Sequence, residues 1–173
     1  MIKNQFIRLV EKVDLPQLQQ IARQTFVEAF GSENTKQAFN KYLDKNFNLD
    51  QLQREYDNPH STFYFLENAH EIMGYLKLNV HSAQTEKKLA DALEIERIYL
   101  LKKYRGQSLG KVLMDKAIET AQKNSKKVVW LGVWEHNPSS IKFYQKYGFK
   151  IFDKHNFMMG DEAQKDFLMK LEL

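Results

Sequence analysis

The chain has 173 residues, 43% of them hydrophobic and 28% charged, with no cysteine. That size fits one domain spanning residues 1–173 with a full apolar core, and the composition excludes disulfides, a cysteine nucleophile and cysteine-based metal sites. No apolar run approaches the ~20 residues of a membrane span, and the stretch from Met1 to Val10 lacks the apolar centre of a signal peptide, which points to a cytoplasmic protein.

Phe6 to Val10 alternates as a short strand. Asp14 then stands where a helix cap belongs, with Pro16 in the first turn and Gln17 as its capping-box partner. Leu18, Ile21, Ala22, Thr25, Phe26 and Ala29 follow at helical spacing, and Gly31 ends the run. Further helices are expected over Thr35 to Phe47, with Ala38, Tyr42 and Leu43 on one face, and over Leu49 to Tyr56. Thr62 to Glu67 and Glu71 to Val80 read as strands joined by a turn, and His81 to Ala90 as a polar excursion. Leu93 to Leu101 is a third strand of this group; strict alternation places Glu94, Glu96, Ile98 and Leu100 on one side. A helix carries Leu109, Val112, Leu113, Ala117, Ile118 and Ala121. Val128 to Trp134 is a buried strand, Asn137 to Tyr147 a short helix ended by Gly148, and strands near Phe149 to Asp153 and Asp166 to Leu173 close the chain. The order implies a mixed α/β sheet of about seven strands flanked by helices.

The net charge of +4 is unevenly spread. Residues 97–127 hold nine basic and two acidic side chains, while residues 1–96 hold 11 basic and 14 acidic ones. This is the pattern of a local anion site, not of a nucleic-acid surface, since aromatics are not interleaved with the charges. Within the basic segment lies Tyr104-Arg105-Gly106-Gln107-Ser108-Leu109-Gly110-Lys111, a glycine-containing turn that enters a helix. Free amides at a helix N-terminus, together with the helix dipole, suit a phosphate. The spacing is neither that of a P-loop nor that of a dinucleotide-binding strand–turn–helix. An ordinary turn with a basic rim would look the same in isolation.

The turn resembles the pyrophosphate-binding segment of the GNAT superfamily of acetyl-CoA-dependent N-acetyltransferases, which reads Arg/Gln-x-x-Gly-x-Gly/Ala. Arg105 fills its first position and Gly110 its last, with Ser108 where glycine is usual. Asn137 with Phe143-Tyr144-Gln145-Lys146-Tyr147-Gly148-Phe149 resembles the superfamily's second motif. The segments Gly74 to Asn79, Leu93 to Tyr99 and Trp130 to Glu135, with His155-x-Phe157-x-x-Gly160-Asp161-x-x-Gln164-x-Asp166, resemble the PaiA-type polyamine acetyltransferases within it.

The resemblance implies a GNAT-like fold and acetyl-CoA as cosubstrate, with no metal. Its pantetheine arm would run along Ile98, Tyr99 and Leu100, and its pyrophosphate would lie on the amides of Arg105, Gly106, Gln107, Ser108, Leu109, Gly110 and Lys111. Asn137 would hold the pantetheine side, and Tyr144 and Lys146 would approach the thiol and phosphates. The Leu100 amide would stabilise the tetrahedral oxyanion. An alkyl ammonium has a pKa of ~10.4 and must lose a proton before attack. Glu94 matches the superfamily's usual base position and Glu96 is the close second. Tyr144 is the matched proton donor to the leaving thiolate. The resemblance implies a small amine as acceptor, a polyamine such as spermidine or spermine, with Glu28, Glu33, Tyr75, Trp134 and Glu135 as candidate contacts. Core packing is the simpler reading for Trp130 and the phenylalanines at 26, 30, 39 and 47, and a structural role for His155. A protein N-terminal or lysine acetyltransferase, or a CoA-binding module without activity, remains an alternative. The chain could be monomer or homodimer, with no nucleic acid or membrane as partner.

Overall fold

The computed structural model describes residues 5–31, 36–159 and 162–173. Three expectations fall outside them: Glu33 as an amine contact, the helix start at Thr35, and the Gly160-Asp161 pair. Seven strands form one sheet in the order β1-β2-β3-β4-β5-β7-β6. They are β1 (Phe6–Leu9), β2 (Ser61–Glu67), β3 (Ile72–Val80), β4 (Ala92–Leu100), β5 (Val128–Trp134), β6 (Lys150–Met159) and β7 (Glu162–Glu172). The helices are α1 (Leu15–Phe30), α2 (Lys36–Asn46), α3 (Leu49–Asp57), α4 (Leu109–Lys123) and α5 (Pro138–Lys146). Among the described residues no helix is long and apolar enough to cross a membrane.

Every neighbouring pair is antiparallel except β4 and β5, the two strands joined through α4. α4 buries Leu109, Leu113, Met114, Ala117 and Ala121 against Leu76, Leu78, Leu93, Ile95, Leu131 and Met169 on one face of the sheet. α1, α2 and α3 cover the other face, packing Leu18, Ile21, Phe26, Phe39, Leu43 and Leu52 on Phe63, Phe65 and Tyr75. At roughly 25 cal/mol per Å² of apolar area, these two layers supply most of the drive to fold.

The parallel ladder is short. It runs from Ala92↔Val128 to Glu94↔Trp130, and no pairing joins the remainder of β4 to the remainder of β5. Each strand keeps its antiparallel partner on the far side, β3 to Leu100 and β7 to Trp134. The sheet therefore opens at its middle, between Ile95–Leu100 on one side and Leu131–Trp134 on the other.

Three expectations need correction. Asp14 precedes α1 but its side chain does not cap it. The carboxylate instead takes Arg8 Nη1 at 2.5 Å, Arg8 Nη2 at 3.1 Å and the Glu11 amide at 2.8 Å, and the Arg8 contact holds its pKa down. A full guanidinium outweighs the weak capping bond, so Gln17 has no capping-box role. Second, β6 extends to Met159, far beyond Asp153. Its outer half, His155-Asn156-Phe157-Met158-Met159, carries no alternating apolar pattern, and an edge strand can form without one because only one side is laddered.

The third correction concerns β4. Lys77 faces Arg97 but Leu78 faces Ile95, so Glu96 is an extra residue in a bulge. One inserted residue inverts the alternation beyond it. Ile98 and Leu100 consequently join Leu76, Leu93 and Ile95 under α4. Glu94 and Arg97 lie opposite Asn79 and Lys77, on the face where Tyr75 and Tyr99 pack beneath α1–α3. Glu94 and Glu96 thus do not share a face with Ile98 and Leu100.

Candidate active site

Where the sheet opens, a cleft of about 1270 Å³ passes from one face to the other. Its α4–α5 bank comes from the β4–α4 turn and from α5; its α1–α3 bank carries the acidic and aromatic side chains.

The turn enters α4 through two left-handed residues, Gly106 at φ 74° and Ser108 at φ 62°. Ser108 caps no amide with its side chain. The first-turn amides of Leu109 and Gly110 have no carbonyl one turn earlier to bond, and basic side chains surround them. The Arg105 amide, by contrast, donates to Lys102 O at 3.2 Å and the Lys111 amide to Ser108 O at 3.1 Å. These two are not free for an anion, so the expected cradle shortens to Gly106–Gly110. The side chains of Arg105 and Lys111 still line the cleft; Arg105 Nε donates to Leu100 O at 3.2 Å and Lys111 Nζ meets Asp115 at 2.6 Å. Gln107 turns back to Lys103 O at 2.8 Å and Leu109 buries its side chain, so both can offer only backbone. Gly110 is open: a Cβ there would touch nothing nearer than the Phe143 ring at 3.5 Å.

From α5, Asn137, Tyr144 and Lys146 all reach the wall. Asn137 caps the helix, its Oδ1 accepting from the Ser140 amide at 3.1 Å and from Ser139 Oγ at 3.2 Å. Tyr144 is 8% exposed, and burial pushes its phenol well above the ordinary range. It stays protonated at neutral pH and can donate. The Ile98, Tyr99 and Leu100 positions border the opening.

The opposite bank holds a buried ion network. Lys77 Nζ meets Glu55 Oε2 at 2.9 Å and Glu96 Oε2 at 2.5 Å. Arg97 clamps Glu55 through bonds of 2.7 and 3.0 Å and reaches Glu96 Oε1 at 3.2 Å. Burial alone would raise Glu55, but Arg97 and Lys77 outweigh it and hold it down to about 2. Two cations thus balance two carboxylates, which leaves Glu94 outside the balance.

Glu94 is 3% exposed and borders the cleft. It accepts from the Thr85 amide at 2.8 Å, from the Thr85 hydroxyl, and from Asn79 Nδ2 at 3.2 Å. Burial raises its pKa, the Thr85 hydroxyl opposes this, and Glu96 raises it further. A carboxylate desolvated but lacking a cation is a proton acceptor of raised basicity.

Of the described side chains expected at the amine, only Trp134 lies on the wall, edge-on to Phe30 at 6.4 Å. Tyr75 is fully buried against Tyr99 at 6.0 Å, and its hydroxyl has no partner among the described residues. Being on β3, it sits one strand away from the opening. Glu28 accepts from the Lys102 amide at 2.5 Å and stands 4.0 Å from Arg105 Nη2, which holds it behind the turn. Glu135 lies off the wall, its Oε1 3.7 Å from His136 Nε2.

Several wall residues were not anticipated. Tyr42, Phe47, Glu55 and Arg97 come from separate elements, with no local signal. His155, Phe157, Gln164 and Asp166 also face the cleft; their spacing of two within each strand of the β6–β7 hairpin was the readable clue. His155 sits between Glu86 at 2.8 Å and Asp166 at 3.7 Å. Asp166 and Glu86 raise its pKa against burial, so it fastens the hairpin and borders the site as well.

Comparison with known proteins agrees with this architecture. A family model described as the Acetyltransferase (GNAT) family matches residues 16–149. An uncharacterized N-acetyltransferase of Lactobacillus delbrueckii subsp. lactis is 45% identical over 164 residues, covering 95% of each chain. The chain belongs to the GNAT family and is an acetyl-CoA-dependent N-acetyltransferase. In fold it is similar to the PaiA N-acetyltransferase of Thermoplasma acidophilum, solved with coenzyme A, at TM-score 0.80 and 21% identity, covering 98% of this chain and 99% of that one. It is also similar to the ribosomal-protein-alanine N-acetyltransferase of Brucella melitensis, at TM-score 0.73 and 20% identity, covering 97% and 99%.

Proposed function

We propose that this protein transfers acetyl from acetyl-CoA to a primary amine by direct attack in a ternary complex, and that the amine is a polyamine such as spermidine or spermine. The observation that carries the reading is the cleft through the sheet, with backbone donors and basic side chains on one bank and an uncompensated buried carboxylate on the other.

Acetyl-CoA enters from the α4–α5 side. Its pyrophosphate lies on the Gly106–Gly110 amides, with Arg105, Lys111 and Lys146 offering charge, and its pantetheine follows the unladdered edge of β4 past Ile98, Tyr99 and Leu100 beside Asn137. The amine enters from the α1–α3 side. Glu94 takes a proton from the ammonium, and the freed nitrogen attacks the thioester carbonyl. The Leu100 amide is aimed at the developing oxyanion. As the tetrahedral adduct collapses and the C–S bond breaks, the protonated Tyr144 phenol supplies a proton to the thiolate; the nitrogen's second proton returns through solvent to the Tyr144 phenolate, which leaves the neutral amide, the coenzyme A thiol and a protonated Glu94 that releases its proton to water. Glu96, held by Lys77, Arg97 and Asn79, shapes the field instead of accepting the proton. Asp166 with the rings of Tyr42, Trp134 and Phe157 supports a cationic, extended acceptor.

The likeness to the ribosomal-protein enzyme supports a second reading, acetylation of a protein N-terminus or lysine. A thiol-release assay with acetyl-CoA against polyamines, amino acids and peptides separates the two. Turnover confined to polyamines agrees with the proposal, turnover confined to peptides favours the second reading, and coenzyme A binding without any turnover indicates a non-catalytic module. Tyr144→Phe is expected to lower kcat about tenfold; full activity would remove it as the donor.

A further inference from the structure

The excursion between β3 and β4, residues 81–91, supplies no group to the reaction as proposed, yet its side chains are fastened in succession to the strands around the cleft. Gln84 Oε1 accepts from Trp130 Nε1 on β5 at 2.7 Å. Glu86 Oε1 meets His155 Nδ1 on β6 at 2.8 Å, and Lys88 meets Asp153 on β6 at 2.5 Å. Between the first two tethers Thr85 grips Glu94 through both carboxylate oxygens, its amide on Oε2 and its hydroxyl on Oε1.

We propose that Thr85 is a positioning residue for the acetyl transfer, fixing the plane and orientation of the Glu94 carboxylate from a strap held against β5 and β6. The inference rests on the role of Glu94 proposed above. A glutamate on a strand has three rotatable side-chain bonds, and a carboxylate held by one donor can still swing. Two donors from one residue, one on each oxygen, remove that freedom, and Asn79 on Oε2 adds a third. A proton acceptor must be within hydrogen-bond reach of its proton in a defined direction, and misplacement by about 1 Å can cost on the order of 100-fold in rate. The Thr85 hydroxyl is what holds Oε1, because its own amide and Asn79 both address Oε2. The same hydroxyl opposes the rise in basicity that burial imposes on Glu94. Other charged groups border this bank of the cleft: Glu96 and Arg97 from β4, Glu55 from α3, His155 from β6 and Asp166 from β7; Lys77 from β3 lies off the wall, paired with Glu55 and Glu96. Of these, Glu96 pushes in the same direction as burial.

The test is the pH dependence of kcat/KM with acetyl-CoA and the best amine acceptor, in Thr85→Val, Thr85→Ser and Glu94→Gln. Thr85→Val keeps shape and amide but loses the hydroxyl. It is expected to lose about tenfold in kcat near neutral pH, to leave KM for acetyl-CoA at the parent value, and to move the acid limb to higher pH. Thr85→Ser restores rate and limb. Thr85→Val added to Glu94→Gln should cost nothing further, because the pair acts as one unit. A parental rate and limb in Thr85→Val, with Glu94→Gln impaired, overturns the positioning role alone. A parental Glu94→Gln overturns the base assignment beneath it. A thermal melt of each variant reports folding, and the Thr85→Ser rescue separates positioning from loop stability.

Discussion

The two banks of the cleft solve opposite physical problems. The α4–α5 bank is built from backbone: two left-handed residues, the first amides of a helix and exposed lysines and arginines. Its charges meet solvent and contribute little to stability. The α1–α3 bank is built from side chains taken out of water, where Lys77, Arg97, Glu55 and Glu96 tolerate burial only because each meets a partner. The first bank can be disturbed without harming the fold; the second cannot. Glu94 is the exception on the buried side, a carboxylate satisfied by hydrogen bonds but not by charge, and this is the ground on which we propose it as the proton acceptor.

The contrast can be broken first at Glu55. Glu55→Gln leaves Lys77 and Arg97 with Glu96 alone and is expected to cost about 3 kcal/mol by denaturant unfolding at pH 7. Glu55 is held below its ordinary value, at about 2. Its contribution is therefore complete above the unfolded pKa of about 4.5 and is lost as pH falls towards 2, so the gap between parent and variant should close over that window. A variant as stable as the parent at pH 7 would show that the network does not support the fold.

Gly110→Ala probes the other bank. The added methyl meets only the edge of Phe143 at 3.5 Å, and alanine favours a helix by up to about 1 kcal/mol over glycine. Because the motif accepts alanine at its last position, the melting temperature should hold or rise and KM for acetyl-CoA should stay at the parental value. A large rise in KM would mean that phosphate approaches the Gly110 backbone more closely than a methyl allows. Ser108→Gly should do least. Glycine relieves a left-handed conformation worth roughly 1 kcal/mol and gives back about 0.4–1 kcal/mol as unfolded-chain entropy. Stability should stay within about 1 kcal/mol, with KM for acetyl-CoA unchanged or lower. A large rise in KM would mean that the serine hydroxyl itself binds phosphate.

The same division governs what could be read from the sequence. The α4–α5 bank is local in the chain. The turn at 104–111, the helix after it, β5 and the start of α5 at Asn137 all follow from apolar period, glycine placement and motif order, and they lie where expected. The α1–α3 bank is assembled from Glu55, Lys77, Glu94, Arg97 and His155, which span three strands and a helix, and no spacing rule connects residues 42 positions apart. The bulge at Glu96 had a larger effect still. A single unsignalled residue inverts the facing of β4, so Glu94 and Glu96 do not share a face with Ile98 and Leu100 as strict alternation implied. Tyr75 failed for a related reason: an aromatic on a central strand looks the same whether the sheet opens beside it or one strand away.

Glu94 as proton acceptor is tested most directly by kcat/KM of the parent and of Glu94→Gln from pH 5 to 10, alongside the unfolding free energy of each. Because burial raises the Glu94 pKa above about 4.5, ionising it in the folded state lowers stability as pH rises through that window. Glu94→Gln should therefore be at least as stable as the parent at pH 7, yet lose 100-fold or more in kcat/KM, together with the acid limb of the profile and without a change in acetyl-CoA affinity. A variant that retains the parental rate and limb, or one that loses activity only by unfolding, would contradict the assignment of the proton acceptor.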